Sequence, residues 1–123
     1  MAKSFVKFQV SPELAGKAYE LIQVASTTGK VRRGTNEATK SIERGNAKIV
    51  VIAENVEPEE IVMHLPEICK EKGVPFVYVP DKKELGKYSG MDVQSAAIAV
   101  EDAGNGGELL KEIIAALPKP KQE

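Results

Sequence analysis

Between residues 30 and 45 the chain reads KVRRGTNEATKSIERG. Lys30, Arg32 and Arg33 lead into Gly34, and Thr35, Asn36, Glu37 and Lys40 follow in quick succession. These residue types suit recognition of a polar ligand. A helix opening at Gly34-Thr35 leaves backbone N–H groups unpaired and a partial positive charge outward, a setting that favours phosphate. Lys30, Arg32 and Arg33 flank that point. Asn36 offers both a donor and an acceptor to a base edge, whereas Glu37 only accepts, so it suits the N–H groups of a guanine and repels phosphate. Lys40 falls on the same helical face, where it can steady Glu37 and reach a backbone oxygen. Basic side chains alone would position a nucleic acid; the Asn-Glu pair adds a means of reading it. The same residues also fit a capped helix start carrying an i,i+3 ion pair.

Other chemistries find less support. Gly29 and Gly34 have the glycine spacing of a phosphate-binding P-loop, but Thr35-Asn36 stands where Lys-Ser/Thr is required, and a helix precedes Gly29. No G-x-G-x-x-G is present. The one histidine, His64, lies in an acidic stretch with no nucleophile beside it, so no catalytic residues are assigned and an enzyme is not expected. With one cysteine, Cys69, no internal disulfide can form, and one Cys and one His make a poor metal site. Cys69 is expected in the core and His64 on a helix surface. Neither a metal nor a cofactor is expected.

A second segment, residues 90–94 (GMDVQ), places Met91 and Val93 between the polar Asp92 and Gln94. Apolar side chains near a helix N-terminus can support an unstacked base; alternatively, both pack inward at a strand start. The aromatics Phe5, Phe8, Tyr19, Phe76, Tyr78 and Tyr88 form no interleaved stacking platform. Tyr88, near Lys82, Lys83 and Lys87, is the one aromatic expected as an exposed contact.

Charge is unevenly spread. The net charge of −1 on its face argues against a nucleic-acid binder. Yet residues 30–45 carry Lys30, Arg32, Arg33, Lys40 and Arg44 against Glu37 and Glu43, a balance of +3. Residues 54–71 carry six glutamates against Lys70, a balance of −5. Such asymmetry can create a local basic surface on a neutral protein. The acidic stretch is a candidate face for a protein partner, or simply a solvated one.

The positioning elements follow from pattern. Ser11-Pro12-Glu13 is a helix start, with a cap, a proline and an acid in order. Leu14, Ala18, Leu21, Ile22 and Ala25 then mark one helical face up to Thr28-Gly29. Val31 sits in a short extended piece, a possible fourth strand. A helix from Thr35, capped by Gly34 or Thr35, buries Ala38 and Ile42 and closes at Gly45. Residues 48–53 (KIVVIA), 76–79 (FVYV) and 96–100 (AAIAV) are apolar, branched runs that suit buried strands. Pro66 predicts a break: a short helix to about Leu65, then another from Pro66 to Lys72. Asp81 and Glu84 predict a capping box for a helix over 82–88. GNGG, residues 104–107, is expected as a loop. Leu109, Leu110, Ile113, Ile114 and Leu117 mark a last helix, and residues 118–123 a frayed tail. At 123 residues, with 42 % hydrophobic and 28 % charged, the chain is expected to form one soluble domain, its core over about 10–117. No apolar run approaches the roughly 20 residues of a membrane span, and no signal-peptide pattern opens the chain, so a cytoplasmic protein is expected. Alternating helices and strands indicate an α/β protein with helices on both faces of a small sheet.

The stretch KVRRGTNEATKSIERGNAKIVVIAENVEPEEIVMHLPEICKEKGVPFVYVPDKKELG resembles the archaeal branch of the kink-turn RNA-binding family of ribosomal proteins, the L-seven-Ae family. The likeness spans about residues 10–117, with Gly34-Thr35-Asn36-Glu37 and Lys40 as its RNA-reading motif. The resemblance implies a three-layer α/β/α sandwich with a small, roughly four-stranded mixed sheet. It implies binding to kink-turns, RNA bends built on tandem sheared G·A pairs with a flipped nucleotide. Asn36 and Glu37 would then contact the guanines, Lys40 would support Glu37, Gly34 and Thr35 would approach the backbone, and Lys30 and Arg33 its phosphates. Met91, Asp92, Val93 and Gln94 match the loop that covers the flipped nucleotide, where archaeal members usually have Leu-Glu-Val. The implied role is that of a non-catalytic scaffold, a monomer when free. Its settings are ribosomal RNA, box C/D and box H/ACA guide particles with their core proteins, and in some members ribonuclease P. Two other readings stay open on the residues alone. A ligand-binding α/β domain predicts a pocket near Glu54 and Pro80. A protein-interaction domain predicts that Asn36 and Glu37 are dispensable.

Overall fold

A computed structural model describes residue 6 and residues 8–117. Five helices and four strands alternate: α1 (Pro12–Thr28), β1 (Lys30–Arg33), α2 (Thr35–Glu43), β2 (Ile49–Ala53), α3 (His64–Lys72), β3 (Phe76–Val79), α4 (Lys82–Tyr88), β4 (Ala97–Asp102) and α5 (Gly107–Ala116). Single 3₁₀ turns lie at Glu59–Ile61 and Gly104–Gly106. The expected frayed tail, 118–123, lies outside the described residues.

The sheet is mixed, in the order β1-β4-β2-β3. β2 and β3 run parallel, joined through α3, while β4 is antiparallel to both β1 and β2. β2 is buried at all five positions, as its unbroken apolar run requires of a strand covered on both faces. α1 packs on β1, β3 and β4 with α4 and α5 beside it; α2 packs on β1 and β4 with α3 beside it. The three-layer sandwich inferred from the sequence is therefore present, and the short piece at Val31 is its fourth strand.

Local chemistry explains most boundaries. The Ser11 hydroxyl accepts from the Leu14 amide at 3.1 Å and starts α1, which buries Ala15, Ala18, Leu21, Ile22 and Ala25. Cys69 is a fully buried core residue, and burial pushes its thiol up to about 12.

Several expectations need correction. Pro66 does not separate two helices. It occupies the first turn of α3, where its missing N–H has no intrahelical partner to lose, and the break falls earlier, after the 3₁₀ turn. GNGG is not a loop: three of its residues form a 3₁₀ turn and Gly107 begins α5. Gly106 is buried there, and a Cβ on it would press on Leu21 and Val24 of α1. Asp81 caps α4 without the expected reciprocal box. Its carboxylate accepts from the Lys83 amide at 2.9 Å and from Asn55 Nδ2, while the Lys82 amide donates to Asn55 Oδ1. The Lys83 amide, and then Asn55, hold the Asp81 carboxyl below its usual range. The last helix is less buried than its apolar pattern suggests: Ile113 is buried, whereas Ile114 is exposed.

Candidate nucleic-acid interface

The register of the sheet brings two distant segments together. Antiparallel pairing sets Arg33 opposite Ile98, so the end of β1 meets the start of β4. α2 begins directly after β1, and residues 90–96 run directly into β4. The Gly34 amide donates to the Ala97 carbonyl at 2.8 Å, which pins the start of α2 to the end of that loop. Arg33 fixes the other end. Its Nη2 and Nε donate to the Ser89 carbonyl, at the end of α4, at 2.6 and 3.2 Å. Two donors of Arg33 are thus committed to the protein.

Gly34 has φ 96° and ψ 156°, a region essentially reserved for glycine. This conformation turns the chain from strand into helix with no side chain capping α2. The Gly34 carbonyl accepts from the Ala38 amide at 2.9 Å, closing the first turn. The amides before Ala38 precede the intrahelical bonding pattern and carry the positive end of the helix dipole. α2 is strongly two-sided. Ala38, Ser41 and Ile42 are buried, while Asn36, Glu37 and Lys40 are exposed. Lys40 Nζ lies 3.6 Å from Glu37 Oε2, an exposed pair worth about 0.3–0.5 kcal/mol. Its value lies more in orienting the carboxylate than in stability.

The loop at 90–96 is held without regular structure. The Met91 amide donates to the Gly86 carbonyl at 3.0 Å, and the Ser95 amide to the Lys82 carbonyl at 3.1 Å. Gly86 makes this approach possible, since a Cβ there would overlap the Val93 carbonyl. Inward packing of both apolar residues is not observed. Val93 is 59 % exposed and Met91 is half-buried, so an apolar surface stands open on the loop that leads to Ala97, the partner of Gly34.

The remaining cations are also engaged. Lys30 Nζ lies 3.8 Å from Glu101 Oε1, and Arg32 Nε lies 3.4 Å from Glu101 Oε2. The Ser41 hydroxyl donates to the same Oε2 at 2.7 Å. That hydroxyl first, and then the Arg32 and Lys30 charges, hold the Glu101 carboxyl below its ordinary value. Glu101, Ser89 and Ala97 do not stand out in the sequence, because each acts through spatial neighbours rather than through a local motif.

Two expectations outside the site also change. Tyr88 is not an exposed contact: it is half-buried and stacks on Tyr19 at 4.9 Å between ring centroids. The Tyr19 hydroxyl bonds both the carbonyl and the amide of Asp81, anchoring the start of α4. His64 is not simply on the surface. It is half-buried, with Nε2 2.8 Å from the Thr39 hydroxyl of α2. An open pocket of about 430 Å³ is lined by Glu57, Pro58, Glu59, Glu60 and Met63. Among the described residues, no cluster of three or more potential metal ligands is found, and no helix is long and apolar enough to cross a membrane.

The chain is similar to known proteins over most of its length. It is 50 % identical over 117 residues to the large ribosomal subunit protein eL8 of Nitrosopumilus maritimus, covering 95 % of this chain and 91 % of that protein. Its fold superposes on a 15.5kD RNA binding protein of Giardia lamblia with a TM-score of 0.86 and 31 % identity, covering 92 % of this chain and 94 % of that one. A model of the ribosomal protein L7Ae/L30e/S12e/Gadd45 family matches residues 16–110, a span that includes the whole of β1, α2 and the 90–96 loop. This is a family of ribosomal proteins and their relatives rather than of enzymes. The chain belongs to the ribosomal protein L7Ae/L30e/S12e/Gadd45 family.

Proposed function

We propose that this protein is a component of the large ribosomal subunit that recognises kink-turn RNA, and that it serves as a non-catalytic scaffold of box C/D and box H/ACA guide particles. The observation that carries the reading is the joining of the uncapped α2 start and the residue before it to Ala97 and Ser89, the residues that flank the 90–96 loop. In this reading Asn36 donates and accepts, and Glu37 accepts, at the guanine edges of sheared G·A pairs, with Lys40 steadying Glu37. Gly34 and Thr35 lie against the backbone, and Lys30 and Arg33 add positive charge near its phosphates. The flipped nucleotide rests on Met91 and Val93, with Asp92 and Gln94 at its rim. The exposure of Val93 supports this, since a core role would have hidden it. The relatives add support: one is named as a large-subunit ribosomal protein and one as an RNA binding protein. A ribosomal role would place the protein in the cytoplasm, as a monomer before assembly.

The physical effect is a population shift. A protein that binds only the bent RNA favours the bend by its differential affinity for that state. Core proteins of a guide particle would then dock on a composite surface. The face around Glu57 to Met63 suits such a partner, because exposed Ile61 and Met63 sit among acidic residues. Reversing the charges of Glu59 and Glu60 together should impair particle assembly without affecting RNA binding. The RNA reading is tested by Asn36→Ala and Glu37→Ala in titrations with a short kink-turn RNA. Each should lose about 1–3 kcal/mol, the size of a base-edge contact. Unchanged affinity in both would leave a protein-interaction domain as the better account.

A further inference from the structure

We propose that Glu101 is a specificity-determining residue of the RNA site: by keeping Arg32 paired, it withholds that charge from RNA that lacks the recognised bend. This inference rests on the RNA reading above and deepens it.

The geometry is that of a fixed counter-charge. The Glu101 side chain is only 8 % exposed, and it meets Lys30 on one oxygen and Arg32 on the other. The Ser41 hydroxyl, on a residue that is 1 % exposed, holds Oε2 from the α2 side. A carboxylate free on the surface could swing away as a phosphate arrived. This one is anchored, so a phosphate approaching Lys30 or Arg32 also approaches a fixed anion. Adding Glu101 lowers the local balance of residues 30–45 from +3 to +2. The other cations of the site are engaged too, Lys40 by Glu37 and Arg33 by the Ser89 carbonyl.

The consequence falls unequally on different RNAs. Binding without specificity comes almost entirely from neutralised phosphates. One such contact adds about 0.7–0.9 to the slope of log affinity against log salt, equivalent to about five- to eightfold at 0.1 M salt. Hydrogen bonds from Asn36 and Glu37 to base edges do not carry that dependence. A kink-turn seated on Asn36 and Glu37 has a fixed register that assigns no phosphate to Arg32, whereas unread RNA is free to place one there, so the anion paired with Arg32 weakens binding to the wrong RNA more than binding to the right one.

The test uses the full chain and two RNAs: a short kink-turn, and a control whose sheared pairs are made Watson–Crick. Glu101→Gln keeps an amide oxygen for the Ser41 hydroxyl and removes only the charge. It should bind the control about five- to eightfold more tightly at 0.1 M salt and steepen its salt slope by about 0.7–0.9. The kink-turn should gain less, so the ratio between the two narrows. In the wild-type background Arg32→Gln should change the control slope little; in the Glu101→Gln background it should remove the gain. The inference is overturned if the control's affinity and slope stay unchanged, or if both RNAs gain equally. It is also overturned if Arg32→Gln alone lowers the wild-type slope by about 0.9, a readout that does not require Glu101→Gln to fold. Equal binding of both RNAs by the wild-type protein would instead refute the underlying RNA reading.

Discussion

Replacing Gly34 with alanine isolates a backbone requirement from any steric one. At φ 96° and ψ 156° a residue with a Cβ is strained by about 1–3 kcal/mol. No atom beyond the adjoining residues lies within 4 Å of where that Cβ would sit, so a tertiary clash contributes nothing. Alanine also reduces the freedom of the unfolded chain, which returns about 0.4–1 kcal/mol. The net expectation is a loss of about 1–2 kcal/mol in stability. In urea, with m of roughly 2 kcal/mol/M, the midpoint should fall by about 0.5–1 M with m unchanged. If the backbone relaxes to avoid the strain, the Gly34–Ala97 bond at 2.8 Å is the first to stretch, and kink-turn affinity should fall more than stability alone explains. D-Alanine at position 34, introduced by chemical ligation, is free of the strain and should restore both. A midpoint within about 0.2 M of wild type for L-alanine, or equal losses for the two enantiomers, would refute the reasoning.

Other outcomes follow from neighbouring contacts. Arg33→Met removes a charge-assisted pair of bonds to the Ser89 carbonyl and should cost about 1.5–3 kcal/mol in a thermal or chemical melt; a loss below about 0.5 would mean the bond is dispensable. Cys69 should resist alkylation at pH 8 in the folded protein and react fully once unfolded, because it is buried and its thiol is pushed up to about 12; rapid labelling of the native state would contradict its core position. Glu101 has a depressed pKa, so its contribution is present above the unfolded glutamate value, about 4.3, and lost as pH falls through the lower folded value. Glu101→Gln should therefore lower stability at neutral pH and converge with wild type in acid; a pH-independent difference would mean the charge is not what matters.

How much of this was legible in the sequence depended on whether the signal was local. α1 could be placed from Ser11-Pro12 and its apolar face, and β2 from five consecutive buried residues, because each element carries its own pattern. The Gly34 to Lys40 stretch could be singled out for the same reason. Its connection to residues 90–96 came only through the family resemblance, since the Gly34–Ala97 bond spans the sheet register and no single segment encodes it. Glu101 and Ser89 escaped notice on the same ground: a lone glutamate at a strand end and a lone serine after a helix are ordinary until their neighbours are known. Gly-rich residues 104–107 misled in the opposite direction. Small residues there permit close packing of a 3₁₀ turn on α1, a tertiary demand that outweighs their loop propensity. Pro66 misled because a proline in a first turn and a proline that ends a helix look alike without the true start at His64.

In the proposed function this surface reads a bent RNA by base edges rather than by charge. Calorimetric titration of the wild-type protein with a short kink-turn RNA, beside the control with Watson–Crick pairs in place of the sheared ones, tests it most directly. A reader of base edges should bind the first tightly and lose at least about 2 kcal/mol on the second. Equal, weak and strongly salt-dependent binding to both would contradict it, and would leave Lys30, Arg32 and Arg33 as an electrostatic surface without a reading function.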